Sequence, residues 1–181
     1  MTDTRRFLPP GHCTRPRRPL LHHFDQNAPV RISAKADYAV RAAIELAASP
    51  EGRPVNAERI ATAQGIPVNF LENILGELRH AGIVRSQRGA EGGFRLARAA
   101  DRISIADVIR AVEGPLATVR GGPPEESSYP GPAADLPRVW IAVRKSLRSV
   151  VERVTVADVA GGRLPRAVVK LSEDPEAWVT R

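Results

Sequence analysis

Residues 66–96 read IPVNFLENILGELRHAGIVRSQRGAEGGFRL. Apolar side chains at Phe70, Leu71, Ile74, Leu75 and Leu78 recur at the three- and four-residue spacing of one helix face. Ala81-Gly82 supplies the stop, because glycine takes the left-handed conformation that ends a helix at little steric cost. Residues 83–87 then read as a strand. Gly89, Gly92 and Gly93 permit a tight reversal, and residues 94–96 return as a second strand. Between positions 79 and 98 five arginines (Arg79, Arg85, Arg88, Arg95 and Arg98) stand against one acid, Glu91. A helix followed at once by a basic hairpin is the arrangement of a winged helix-turn-helix. The helix would enter a major groove of double-stranded DNA, and the hairpin would lie along the backbone or the minor groove.

The residues before this stretch fit the same plan. Ser33 is placed to cap a helix over residues 34–48, with Ala36, Val40, Ala43, Ile44 and Ala47 as its apolar stripe. Pro50-Glu51-Gly52 ends it. Asn56 caps a second helix, residues 57–64, with Val55 and Ile60 at the spacing of a hydrophobic staple. Gly65-Ile66-Pro67 is then the turn between two helices. After the hairpin, Ser104 and Asp107 have capping-box spacing, and Ile105, Val108, Ile109 and Val112 line one side of a fourth helix that Gly114-Pro115 breaks. These elements make a winged-helix domain over residues 30–115.

Residues 116–136 read as a loop. The run GGPPEESSYPGPAADLP, residues 121–137, holds five prolines and three glycines and is longer than an ordinary connection. Residues 137–160 read as a long helix. Trp140, Val143, Leu147, Val150 and Val154 follow one another in steps of three and four, the seam of a coiled coil. That stripe must be buried against its own domain or against a second copy. We take the second, since a helix beyond a long loop has little of its own domain left to cover. Thr155 is placed to cap one further turn. Residues 161–181 read as a flexible tail, in which Trp178 has no evident partner. The expected fold is mainly α: a winged helix-turn-helix with a two-stranded β-wing and a long C-terminal dimerisation helix.

Composition sets outer bounds. The chain has 181 residues, a formal net charge of +7 and a pI near 10.6. A polyanionic partner fits that excess, but part of it lies in residues 1–29, where five arginines face two aspartates among prolines. That segment reads as a disordered basic extension. Val30-Arg31-Ile32-Ser33 looks like a natural beginning, and Val30 is what an internal GTG start codon would show when read through. Mass spectrometry of the native N-terminus tests this, and peptides from residues 1–29 would refute it. The one cysteine, Cys13, allows no intrachain disulfide. No Cys/His set has zinc spacing, and His12, His22 and His23 fall in the extension, so no metal site is expected. No apolar run is long enough to span a bilayer and no secretory h-region is present, so a cytoplasmic protein without membrane contact is expected. The glycines at 89–93 lack the GK[ST] ending of a phosphate loop and precede a strand. No nucleophile–base or paired-carboxylate constellation appears, so an enzyme is not expected.

The stretches RISAKADYAVRAAIELA, IATAQGIPVNFLENILGELRHAGIVRSQRGAEGGFRLAR and ISIADVIRAVEGPL occur in the order of the Rrf2 family of bacterial winged-helix regulators, the IscR, NsrR or BadM type. The chain resembles that family over roughly residues 31–160. The family's usual form of the central stretch is I-x-x-x-Y-L-E followed by V-x-S-x-R-G-x-x-G-G-Y. The resemblance implies a homodimer with crossing C-terminal helices, each half meeting one half of a palindromic operator. It implies base contacts from Asn69 and Glu72, at the start of the recognition helix. Asn can pair with adenine, and Glu can accept from a cytosine amino group. It implies that Arg88, in Q-R-G, reaches into the minor groove. For Arg79, Arg85, Arg95 and Arg98, phosphate contact stands beside a plain solvated surface. Phe70 is expected in the core, and Asp37 in a local cap or pair.

Two departures matter. Family members that hold an iron–sulfur cluster do so through three cysteines in the loop after the fourth helix, and residues 121–137 contain none. Asp37 matches a cluster-ligating aspartate of the nitric-oxide-sensing members, but one carboxylate cannot hold a cluster. No cofactor is therefore expected. The wing also carries Ala90-Glu91 where the family tends to Pro-Gly, so Glu91 is expected to face solvent. The reading is a sequence-specific transcriptional regulator, a homodimeric repressor, with a small-molecule or protein effector acting at the Pro/Gly-rich loop. The alternative is a winged-helix interaction module that regulates a partner enzyme.

Overall fold

The computed structural model describes residues 32–89 and 91–179. The expectations for residues 1–29 lie outside them.

Four helices and a hairpin form the body. Helix α1, Ala34–Ala48, starts where the Ser33 side chain accepts from the Ala36 amide at 3.0 Å. Its buried face is Ala36, Ala39, Ala42, Ala43 and Leu46. Val40, Ile44 and Ala47, expected in the stripe, pack on the edge of the core instead. An alanine-rich helix offers small residues on every side, and its neighbours decide which side is covered. Helix α2, Ala57–Gln64, is capped by Asn56, whose Oδ1 accepts from the Arg59 amide at 2.8 Å, and ends at Gly65 with φ 61°. Val55 and Ile60 are both buried in one core cluster. Helix α3, Val68–His80, buries Leu71, Ile74, Leu75 and Leu78. Phe70 is not a core residue. It is 42 % exposed, and its ring meets the Tyr38 ring edge-on at 5.8 Å. At the first turn of α3 this position turns toward α1 at the rim, past the end of the packed stripe.

Strands β1, Val84–Gln87, and β2, Gly93–Leu96, pair antiparallel, with Val84 opposite Leu96, Arg85 opposite Arg95, Ser86 opposite Phe94 and Gln87 opposite Gly93. Alternation sends Val84, Phe94 and Leu96 toward the core and the two arginines to the other face. The hairpin is stitched to the helix-turn-helix. Val55 and Phe94 exchange backbone hydrogen bonds of 2.8 Å in both directions, immediately before α2. That approach requires glycine at position 93, where a Cβ would lie 2.5 Å from the Val55 carbonyl group. A Cβ at Gly92 would lie 2.5 Å from the Gln87 carbonyl oxygen, so the reversal needs both. Helix α4, Ile105–Glu113, opens with a complete capping box between Ser104 and Asp107.

The C-terminal part departs from expectation. Residues 137–160 are two helices, α5, Leu136–Val151, and α6, Val156–Ala160. Val154 belongs to neither and is 6 % exposed. Its carbonyl accepts from the Ile105 amide at 2.9 Å, and the Val156 amide donates to the Ile103 carbonyl at 2.9 Å. This short ladder draws the chain back onto the body, and a capping box between Thr155 and Asp158 restarts the helix. Val154 is therefore a core residue and not part of a seam. Residues 161–179 also carry structure. Helix α7, Arg166–Ser172, is followed by a 3₁₀ turn, Pro175–Trp178, and the Trp178 indole donates to the Ser172 carbonyl at 2.6 Å. Within the Pro/Gly-rich loop, a 3₁₀ turn at Pro124–Glu126 is tied to α5 by an ion pair of 2.7 Å between Glu125 and Arg144.

Candidate nucleic-acid interface

The first turn of α3 is open to solvent. Pro67 precedes it and offers no side-chain cap; its carbonyl takes the Phe70 and Leu71 amides, and the Val68 and Asn69 amides are left to an outside acceptor or water. Asn69 and Glu72 are exposed there, three residues apart and hence on one face. Glu72 has no arginine or lysine pairing with it among the described residues, whereas Glu77 on the inner side holds Lys35 at 2.8 Å. Arg79 lies on the Glu72 face but ten residues beyond Asn69, about 15 Å along the axis. It stands by the root of the wing and not with the two candidate base readers.

The wing supplies the positive charge. Arg85 and Arg95 are direct cross-strand partners, so two guanidinium groups leave the same face from opposed positions. Arg85 is exposed, while Arg95 is half-buried with its Nε enclosed and without a hydrogen-bond partner. Arg88 is exposed at the tip. Like charges placed opposite one another are unfavourable alone and favourable beside a row of phosphates. Arg98 is not part of this set, because it is held by Asp107 at 3.1 Å at the start of α4. Glu91 is exposed. The structure adds Arg59, exposed in the first turn of α2, four residues after the Val55–Phe94 pairing. Its distance in sequence from the arginine cluster hid it, although the first helix of a helix-turn-helix crosses the DNA backbone.

Asp37 forms the local pair expected of it, with Arg41 at 3.2 Å. Arg41 also reaches the side chain of Gln64 at 3.2 Å and its backbone carbonyl, and Gln64 donates to Glu45 at 2.8 Å. This network pins the end of α2 to α1 and so fixes the angle at which α3 leaves the turn. Among the described residues no three His, Cys, Asp or Glu side chains come together in a way that could hold a metal ion. Residues 121–137 contain neither cysteine nor histidine.

On α5, Val139, Val143 and Leu147 are 51 %, 41 % and 39 % exposed, and no residue of the helix is buried. Trp140 is half-buried, with its indole Nε1 enclosed and unpartnered, so it turns toward its own body more than the rest of the expected seam does. Val150 is half-buried. Among the described residues no helix is long and apolar enough to cross a membrane.

Known proteins agree with this geometry. The family model described as "Rrf2: Iron-dependent Transcriptional regulator" matches residues 32–162. A protein of Mycobacterium tuberculosis (strain H37Rv), named as an HTH-type transcriptional regulator, is 51 % identical over 148 residues, covering 82 % of this chain and 92 % of its own. The regulator CymR of Bacillus subtilis is 34 % identical over 131 residues, 72 % of this chain and 90 % of its own. The solved structure of CymR, titled the global cysteine regulator of B. subtilis, superposes with a TM-score of 0.63 at 32 % identity over 74 % of this chain and 98 % of that one. The structure of T. potens IscR gives a TM-score of 0.59 at 32 % identity, over 84 % and 93 %. The uncapped α3, the basic hairpin and these matches place the chain in the Rrf2 family of winged-helix, DNA-binding transcriptional regulators.

Proposed function

We propose that this chain is a homodimeric repressor that covers a palindromic operator and works without an iron–sulfur cluster. The observation that carries the dimer is α5, which leaves Val139, Val143 and Leu147 open to water on a helix with no buried residue. A second copy of the same helix matches that stripe, and a two-fold axis between two readers matches a palindrome. In this reading Asn69 and Glu72 touch base edges, and Arg88 enters a narrow minor groove. Arg79, Arg85 and Arg95 meet phosphates. The cluster-free reading rests on donor chemistry. The loop that would hold iron lacks thiolates, and Asp37 is already committed to Arg41.

The test selects fragments of the chain's own genome with the purified protein. Inverted half-sites on one face of the duplex, bound by a dimer, are the expected result. Arg88→Ala should then weaken binding by about 1–2 kcal/mol and lower the salt dependence by about one counterion. If no fragment is retained at low salt while a partner enzyme co-purifies, the interaction-module reading replaces this one.

A further inference from the structure

The junction between the body and α5 holds a cleft of about 550 Å³, lined by Arg110 and the Gly114-Pro115-Leu116 corner of α4 on one side and by Arg144, Arg148 and Glu152 on the other. Three guanidinium groups and one carboxylate thus face a space large enough for a small metabolite. Arg110 and Arg148 both donate to a single oxygen of Glu152, Oε1, the second at 2.8 Å. Asp107 lies 3.9 Å from Arg110. Arg144, on the same face of α5, is held at 2.7 Å by Glu125 from the Pro/Gly-rich loop. These side chains are reachable, with 36 % of Arg110, 22 % of Arg144 and 47 % of Arg148 exposed. Pro115 and Leu116 give the cleft an apolar edge.

We propose that this cleft binds a compact polyanion, a small molecule carrying two or more carboxylate or phosphate charges. Arginine forks suit such groups because they donate in pairs at fixed angles. The cleft lining itself carries three arginines against Glu152, and Glu125 and Asp107 at its edge balance the remaining charge, so a dianion enters by displacing internal carboxylates. The internal carboxylates occupy the places the ligand would take. Glu152 bridges two arginines across the α4–α5 junction as one end of the ligand would, and Glu125 holds the third arginine. A ligand that takes Arg144 releases Glu125, and with it the tie between the loop and α5. Occupancy thereby alters how α5 sits on the body, and any effect of this on operator affinity rests on the repressor reading.

The experiment is calorimetry on the full chain with citrate, succinate and inorganic phosphate, at ionic strength held constant with sodium chloride. At least one probe should bind at one site per chain, and the arms tell carboxylate from phosphate. Arg148→Gln and Arg144→Gln should each weaken it about tenfold or more, while R144K, which keeps the charge and the packing stem, should retain much of it. Glu125→Gln removes an internal competitor and should tighten binding severalfold. No heat from any probe into the millimolar range, or equal binding by all variants, would overturn the site. Retention of promoter fragments is measured separately. Probe binding without DNA retention leaves the site standing and sinks the repressor reading, and the converse sinks the site alone.

Discussion

The winged body and α5 both carry apolar stripes at helical spacing but differ in what those stripes touch. In the body, Leu71, Leu75 and Leu78 on α3 are fully buried, and so are Ile60 on α2 and Val108 on α4. On α5, Val139, Ile141, Val143 and Leu147 remain open; the helix meets the body through the half-buried Trp140 and Val150 and the Arg110–Glu152 ion pair, and the Pro/Gly-rich loop through Arg144–Glu125. Burial of an apolar side chain contributes roughly 1.5–3 kcal/mol, whereas an exposed ion pair contributes under about 1 kcal/mol. The apolar stabilisation therefore lies in the body, and α5 adds little burial of its own. One region carries the candidate DNA-reading surface, and in the dimer proposed above the other supplies the contact between copies.

That contrast can be broken from either side. Leu71→Ala empties a fully buried site between α3 and its neighbours, and should lower the unfolding free energy by about 2–5 kcal/mol, measured by denaturant titration. Leu147→Glu should leave that free energy within about 0.5 kcal/mol when measured on the monomer, yet weaken self-association by roughly 100-fold in sedimentation equilibrium. Equal loss in both measurements would mean that α5 is part of the body's core. The smallest effect concerns pH. Hydrogen bonds from Arg110 and then Arg148 hold the Glu152 carboxyl below the ordinary carboxylate range, and the Thr155 amide and hydroxyl do the same for Asp158. A folded-state value below the unfolded one contributes stability that is complete above the ordinary range and is lost as pH falls through the lowered value. The junction around α5 and α6 should therefore loosen in acid before the α1–α4 core does. Amide exchange at Ile105 and Val156, the two donors of the ladder, compared with Leu71 and Leu75 checks this, and simultaneous loss of protection would refute it.

How much of this was legible from residues alone follows the range of each interaction. Caps act within three residues, so Ser33, Asn56, Ser104 and Thr155 marked helix starts that the structure keeps. The hairpin was legible from its glycines, and at two of them, Gly92 and Gly93, a Cβ would meet backbone. What failed was non-local. Val154 continues the three–four spacing of α5, and nothing near it in sequence says that Ile105 and Ile103, some fifty residues earlier, will hydrogen-bond the backbone around it. Phe70 continues the apolar stripe of α3, yet Tyr38 on another helix holds it at the rim. In the same way Arg98 looked like one more wing arginine until α4 brought Asp107 within 3.1 Å. For the site, the candidate residues Asn69, Glu72 and Arg88 were identifiable by motif, and Arg85 by the local cluster of arginines. The opposed placement of Arg85 and Arg95 required the strand register.

The two backbone bonds between Val55 and Phe94 bear on how such a protein measures DNA. They join the wing to the segment that launches α2, and the Arg41–Gln64 contacts join the far end of α2 to α1. Within one chain, the distance from the Asn69–Glu72 readers to the Arg88 tip is thus fixed like a gauge, and in the proposed dimer the pairing of the two α5 helices fixes the distance from one gauge to the other. A duplex advances about 3.4 Å and turns about 34° for each base pair. A gauge of this kind should tolerate base changes inside a half-site more readily than one base pair inserted between half-sites. Competition binding with such spacer variants reads that difference directly, and indifference to the spacer would mean that the two readers are not rigidly joined.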